Sequence, residues 1–279
     1  MRGGSRLRRL GSRIRRRLGA SIRPAPSLPG PTGAGGQRLQ PAGGASLWRL
    51  LEPYIPTDHA RQVSATYYVE RLMSAAPAPL KVLDLGCGRG DSVDLFRGFQ
   101  PDVDWVGADI ADSQEVLQRR RSDARFVTYD GQALPFADGS FDLVYSRQVL
   151  EHVQEPVGHL REIARVLRSG GVLIGSTSQL EPYHSMSYWN FTPFGFVALT
   201  QRAGLEVREL RPGIDGVTLP LRTYFGRPAG FNLWWSEESP LNQLIDDWGR
   251  LTGRRAALVN LRKLELCGQF AFYVVKGTA

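Results

Sequence analysis

The run Val82-Leu83-Asp84-Leu85-Gly86-Cys87-Gly88-Arg89-Gly90-Asp91-Ser92 is the part of this chain best suited to hold a small ligand: an apolar stretch reaches an acid, then opens into glycines. Glycines at 86, 88 and 90 permit positive φ and let backbone approach a ligand with no Cβ in the way. A dinucleotide turn of the form G-x-G-x-x-G would need glycine where Asp91 stands, and a carboxylate there would repel a pyrophosphate. A second acid, Asp109, follows Val106-Gly107-Ala108. One carboxylate can accept both hydroxyls of a ribose, and hydrogen bonds to a charged group are worth roughly 1.5–3 kcal/mol each. Asp109 taken alone could equally cap the helix after it; the glycines and Asp84 favour the ligand role. For proton transfer the chain offers His59, His152, His159 and His184. His159 is expected on the solvent side of its helix and His59 ahead of the core, which leaves His152 and His184. Cys87 and Cys267 form neither a metal-ligand spacing nor a disulfide framework, so no metal is expected and a reducing compartment follows.

These residues need a scaffold that brings strand ends to one edge. Short apolar runs alternate with helical patterns, which predicts an α/β, doubly wound, seven-stranded and mostly parallel sheet with helices on both faces. Strands are expected at 81–85, 105–109, 125–129, 141–146, 172–176, 205–210 and 270–275. Val157, Leu160, Ile163, Val166 and Leu167 form a helical stripe, with Gly170 and Gly171 as its stop. Thr192 and Pro193 read as the cap and first residue of another helix. Residues 211–268 interrupt the alternation before the last strand and are expected to form an insertion with a helix or two, as a lid or an acceptor-recognition segment. Its Trp234 and Trp235 could meet an acceptor, a partner, a membrane interface or the core.

Residues 1–45 are Arg-rich and then Pro/Gly-rich, a composition that cannot pack a core, and residues 46–279 make the expected domain. Residues 1–51 hold eleven arginines and no acid against a whole-chain formal charge of +8, so residues 52–279 are net −3. A mildly acidic body argues against a phosphate-tracking groove for nucleic acid. Leu7, Leu10, Ile14 and Leu18 align on one helical face, so residues 1–23 could lie on an anionic membrane; a disordered arm or a transit peptide has the same composition. With no apolar run of roughly 18–20 residues, a cytosolic protein, peripheral at most, is expected.

Between about 78 and 210, four segments in unbroken order resemble the class I S-adenosylmethionine (SAM)-dependent methyltransferases, of the type-11 kind. The glycine run is the first. In that family it wraps the methionyl part of SAM, with the acid matching Asp84 orienting the amino group and Cys87 and Arg89 within the turn. The resemblance places the ribose on Asp109 and the adenine against Ile110. The third segment, Tyr129 to Phe136, brings Asp130, Gly131 and Gln132 to the adenine edge. The fourth, Val144 to Val153, brings Ser146, Arg147 and Gln148 to the cofactor and the methyl-transfer cleft.

The implied activity is methyl transfer from SAM to an acceptor, without a metal. Pro182-Tyr183-His184 followed by Trp189-Asn190-Phe191-Thr192-Pro193 resembles a subset of the family acting in glycan pathways. There His184, with His152 second, would take a proton from an acceptor hydroxyl, and Tyr183, Tyr188 and Trp189 would stack on a saccharide or small metabolite. The same residues could instead pack the following helix. Two alternatives stand beside this reading: a non-catalytic protein that keeps the fold for SAM binding or assembly, and a nicotinamide oxidoreductase.

Overall fold

The computed structural model describes residues 44–181 and 185–278, and residues Leu47–Ala279 make one compact unit. The basic arm and the membrane contact expected of residues 1–23 lie outside the described residues, as do Tyr183 and His184. No described helix is long and apolar enough to cross a membrane.

Seven strands form one sheet: β1 Lys81–Leu85, β2 Asp104–Ile110, β3 Arg125–Tyr129, β4 Phe141–Arg147, β5 Leu167–Ser178, β6 Leu205–Pro212 and β7 Gln269–Lys276. Their order is β3-β2-β1-β4-β5-β7-β6. β7 alone runs antiparallel, between β5 and β6, so β6 points the same way as β1 to β5. The expected doubly wound, mostly parallel sheet is therefore present, with its last strand reversed. Adjacent strand residues bury on opposite faces, which is why these runs are apolar throughout and show no alternation. Val82, Trp105, Leu143, Tyr145 and Ile174 pack under α2 (Ala65–Ala75) and α3 (Ser92–Phe99). Leu83, Val106, Val144, Leu173 and Phe272 pack under α5 (Pro156–Val166), α6 (Pro193–Arg202) and α9 (Ala256–Leu266). Phe196 stacks on Phe272 at 4.6 Å and meets Phe270 edge-on at 5.5 Å. The remaining helices are α1 Gly44–Leu51, α4 Gln114–Leu117, α7 Thr218–Tyr224 and α8 Pro240–Leu251.

Helix α6 starts as its sequence predicts, with the Gly195 amide donating to Thr192 Oγ1 at 3.0 Å and Pro193 in the first turn. Helix α5 departs from expectation twice. It stops at Val166, and Leu167 already opens β5; Gly170, at φ +71°, lies inside that strand and terminates no helix. His159 is buried at 2% exposure beside Leu160, not on the solvent side. The buried face runs through 159, 160, 163 and 166, and an imidazole body is apolar enough to join it.

The insertion begins after Pro212, since Arg211 and Pro212 finish β6. It carries α7, a 3-10 segment Ala229–Trp235, α8 and α9, more helix than expected. Its base is pinned to residues 56–64 by polar contacts. Lys263, fully buried, reaches Glu238 at 2.9 Å, Asp246 at 2.8 Å and the Ala60 carbonyl at 2.6 Å. Asn260 donates to the Pro56 and His59 carbonyls. Asp215, also buried, accepts from the Val217, Thr218 and Leu241 amides. Lys263 is the buried charge of its ion pairs; stripping it of both partly exposed carboxylate partners would leave it uncompensated, at a cost of roughly 3–5 kcal/mol.

Candidate active site

Parallel strands β1, β2, β4 and β5 end at one edge, and the side chains with chemistry gather there. The turn after β1 is held from two sides. Gly86 and Cys87 donate to the Ala108 carbonyl at 2.8 and 3.3 Å, and Asp109 Oδ2 accepts from the Gly88 amide at 2.7 Å. Asp109 Oδ1 accepts from the Ile110 amide at 2.8 Å. Glycines 86, 88 and 90 all have positive φ, as predicted, but the space they spare belongs first to the protein. A Cβ at Gly86 would lie 2.3 Å from Val149, and one at Gly90 would lie 2.7 Å from the Phe126 ring.

Asp84 is buried, and its Oδ2 accepts from the Ser92 hydroxyl, which in turn accepts from the Trp105 indole at 3.0 Å. Burial pushes its carboxyl up to about 7, partly offset by the Ser92 hydrogen bond. A buried carboxylate in that condition is ionised most readily by a cation beside it, which is what the amino group of SAM would bring. Asp109 is raised for the same reason. Ile110 is exposed, and Gly131 comes so near that a Cβ there would sit 3.5 Å from Ile110 Cγ2. Asp130 is fully exposed and accepts from the Gln132 and Ala133 amides at 2.9 Å, which lowers its carboxyl and shapes the turn. The structure thus brings together Asp84, the glycine turn, Asp109, Ile110 and the 130–132 turn, and those residues fit SAM.

Other expected cofactor residues sit less openly. Cys87 is buried, its thiol pushed up to about 12 by desolvation, so only its backbone is available to a ligand. Arg89 is exposed and faces Asp91 at 3.7 Å, on a cleft of about 750 Å³ that it shares with Arg119, Arg120 and Arg121. The Ser146 hydroxyl is buried without a hydrogen bond among the described residues, while Arg147 is exposed at the tip of β4. Gln148 follows with φ +57°, a strained value for a residue with a side chain, held by its amide on the Ser176 carbonyl at 2.9 Å.

Arg119 was missing from the sequence reading. Its guanidinium donates to the Gly88 carbonyl at 2.7 Å through Nε and lies 4.0 Å over the Phe126 ring, clamping the turn from outside. Glu151 and Glu181 were also missed. Glu151 is fully buried and accepts from Thr177 Oγ1 at 2.9 Å and Ser178 Oγ at 3.1 Å. Ser178 Oγ also lies 2.6 Å from Glu181 Oε2. A single hydroxyl proton cannot serve both carboxylates; Gln269 Nε2 donates to Glu181 at 2.7 Å, and the Gln148 amide lies within reach of both acids. Burial, with Glu181 nearby, raises Glu151 to about 7.

The Glu151 carbonyl also accepts from the Tyr188 and Trp189 amides at 2.7 and 3.2 Å. Trp189 Nε1 donates to the Val153 carbonyl at 2.8 Å, and Gln154 Nε2 donates to Tyr188 Oη at 2.7 Å. The polar tips are thus engaged while both rings stay exposed, beside the turn that carries His152. His59 is held elsewhere, against Tyr67 and Arg211. Trp235 is exposed and Trp234 partly so, which removes the core as their place.

A family model described as a methyltransferase domain matches residues 83–175, from the middle of β1 into β5. Residues 83–175 form a class I SAM-dependent methyltransferase domain. The cofactor of such domains is SAM, and no group of His, Cys, Asp and Glu able to hold a metal occurs among the described residues. The methyltransferase domain is 36% identical over 102 residues to a demethylmenaquinone methyltransferase of Thermus thermophilus, covering 35% of this chain and 46% of that protein. A ubiquinone biosynthesis O-methyltransferase of Cereibacter sphaeroides is 28% identical over 152 residues, covering 50% of this chain and 61% of that one. The chain therefore spans only about half the length of these curated relatives. A solved structure from Galdieria sulphuraria, provisionally assigned as a sarcosine dimethylglycine methyltransferase, shares the fold at a TM-score of 0.52 and 13% identity, covering 83% of this chain and 97% of that one.

Proposed function

We propose that this protein transfers a methyl group from SAM to a hydroxyl of a small ring-bearing acceptor. The observation that supports this most is the pairing of Asp84 and Asp109 around one glycine turn, with Asp109 fastened to Gly88. The bound cofactor supplies an electrophilic methyl on a sulfonium. Asp84 would accept the amino group and Asp109 the ribose hydroxyls, while Ile110 and the 130–132 turn flank the adenine. The acceptor would rest on Tyr188 and Trp189, whose ring faces suit either a saccharide or a phenolic ring. A saccharide follows the Pro182-to-Pro193 resemblance; the names of the curated relatives point to quinone biosynthesis, for which a phenolic ring is the hydroxyl-bearing acceptor we propose to try.

The acceptor hydroxyl would give its proton to one imidazole, His184 or in its place His152, while the bound cofactor would supply the methyl and leave as its demethylated thioether. The protein's share is alignment of an in-line displacement and the fit to its changing charge. His184→Ala is expected to lower turnover by about 10²–10⁴-fold with an unchanged heat of SAM binding; full turnover would remove the base assignment. The reading as a whole is tested by incubating the protein with isotope-labelled SAM and fractionated saccharide and phenolic pools, then weighing whichever fraction gains label. SAM binding with no labelled product in any pool would return the protein to a non-catalytic SAM-binding role.

A further inference from the structure

Helix α7 and the 3-10 segment after it carry apolar surface that the methyl-transfer reading leaves unused. Tyr224 is 82% exposed, Phe225 55% and Val217 53%, with Leu221, Leu233 and Trp235 also open. The patch is continuous: Tyr224 meets Phe225 at 5.2 Å, Phe225 meets Phe231 at 6.2 Å, and Arg222 lies 5.5 Å over Trp235 while reaching Asn232 at 3.2 Å. Single exposed apolar residues are ordinary, but a contiguous aromatic patch marks a contact surface.

Its charge identifies the occupant. Residues 217–236 contain Arg222 and Arg227 and no acid, in a body whose net charge is −3. Aromatic rings beside guanidinium groups, with acids only past the end of the segment at Glu237 and Glu238, match the headgroup layer of an anionic bilayer, where rings sit at the polar boundary and each basic group gains about 1 kcal/mol. A second copy docked through a two-fold axis would set these arginines against themselves, which disfavours self-association.

Position gives the surface its use. Because β6 runs parallel to β5, the chain leaving Pro212 emerges at the same edge as the end of β5. Gly216 lies so close to Leu180, just past β5, that a Cβ there would stand 2.7 Å from Leu180 Cβ. Leu180 is itself exposed, so apolar surface continues from the strand end toward α7. The Asp215 contacts tie the root of α7 to the start of α8.

We propose that the face formed by α7 and Ala229–Trp235 docks on an anionic lipid bilayer and holds the open sheet edge against it. This docking stands apart from the methyl-transfer reading, since it requires no acceptor and no SAM. The test is cosedimentation of the full chain with vesicles of phosphatidylcholine alone and of phosphatidylcholine with phosphatidylglycerol, for the unaltered protein and for Tyr224→Ser/Phe225→Ser. Binding to the phosphatidylglycerol vesicles is expected to fall about tenfold or more in the double variant, with SAM binding heat and melting temperature unchanged. Arg227→Glu, at an exposed position, should lower binding severalfold and supplies the readout if the double variant folds poorly. Equal binding by variant and unaltered protein would assign any lipid contact to the basic arm and overturn the proposal. So would equal binding to both vesicle types, no binding by the unaltered protein, or self-association abolished by the double variant while vesicle binding persists.

Discussion

Two pairs of acids lie along the open edge of this sheet, and their surroundings set them apart. At the β1–β2 end, Asp84 and Asp109 are anchored by a hydroxyl and by backbone amides, and the glycine turn beside them is clamped by Arg119 and Val149. At the β4–β5 end, Glu151 and Glu181 are joined through the Ser178 hydroxyl and the Gln148 side-chain amide. The first pair is arranged to ionise when a cation and hydroxyls arrive. The second already shares its hydrogen-bonding capacity and holds the aromatic loop through the Glu151 backbone. On the proposed reading, the contrast would separate cofactor binding from support of the acceptor side.

The largest effect should come from the first pair. Asp109→Asn removes the charged acceptor, and calorimetry should show SAM affinity falling by about 10²-fold, from roughly 1.5–3 kcal/mol per lost charged bond. An unchanged affinity would break the comparison, since the ribose would then be gripped elsewhere.

Glu151→Gln addresses the second pair. The Glu151 carboxyl is raised to about 7 in the folded protein from an ordinary 4.5, so its stabilising share is complete below pH 4.5 and is lost as pH rises through 7. The variant should therefore gain roughly 2–3 kcal/mol over the unaltered protein at pH 8 and nothing at pH 4, by urea denaturation at both values. SAM affinity should stay the same; a fall would merge the two pairs into one site.

His159 supplies a control away from the edge. Its ring is lowered from 6.5 to about 4 by burial, and neither nitrogen has a hydrogen bond among the described residues. The folded state needs the neutral ring, so stability is present above pH 6.5 and declines as pH falls toward 4. His159→Leu should remove about 2 kcal/mol of that acid-side loss, measured as melting temperature from pH 7 to pH 4. Tyr188→Ala should give the smallest change, raising KM for the acceptor about three- to tenfold through a lost stacking contact, with SAM affinity unaltered.

Much of this molecule was legible in its amino acids. The Asp84 turn, Asp109 and all seven strands sit close to where spacing and apolar runs predicted, because both depend on local rules: glycines where φ turns positive, apolar runs where both sheet faces are covered. His159 was misread because helical periodicity alone cannot say how wide a buried stripe is when a polar-capable ring can join it. Arg119, Glu151 and Glu181 were missed for a different reason. Their partners, Gly88, Ser178 and Gln269, lie 31, 27 and 88 residues away in the chain.

The amino-acid sequence by itself determined the fold class, the places of the strands and the glycine turn after β1, since each is written in residues that are neighbours along the chain. Only the tertiary structure decided which carboxyls are buried, why the glycines are needed and which surface of the insertion is bare. Those properties depend on how far water is excluded at each atom, and exclusion is set by whatever distant segment packs there.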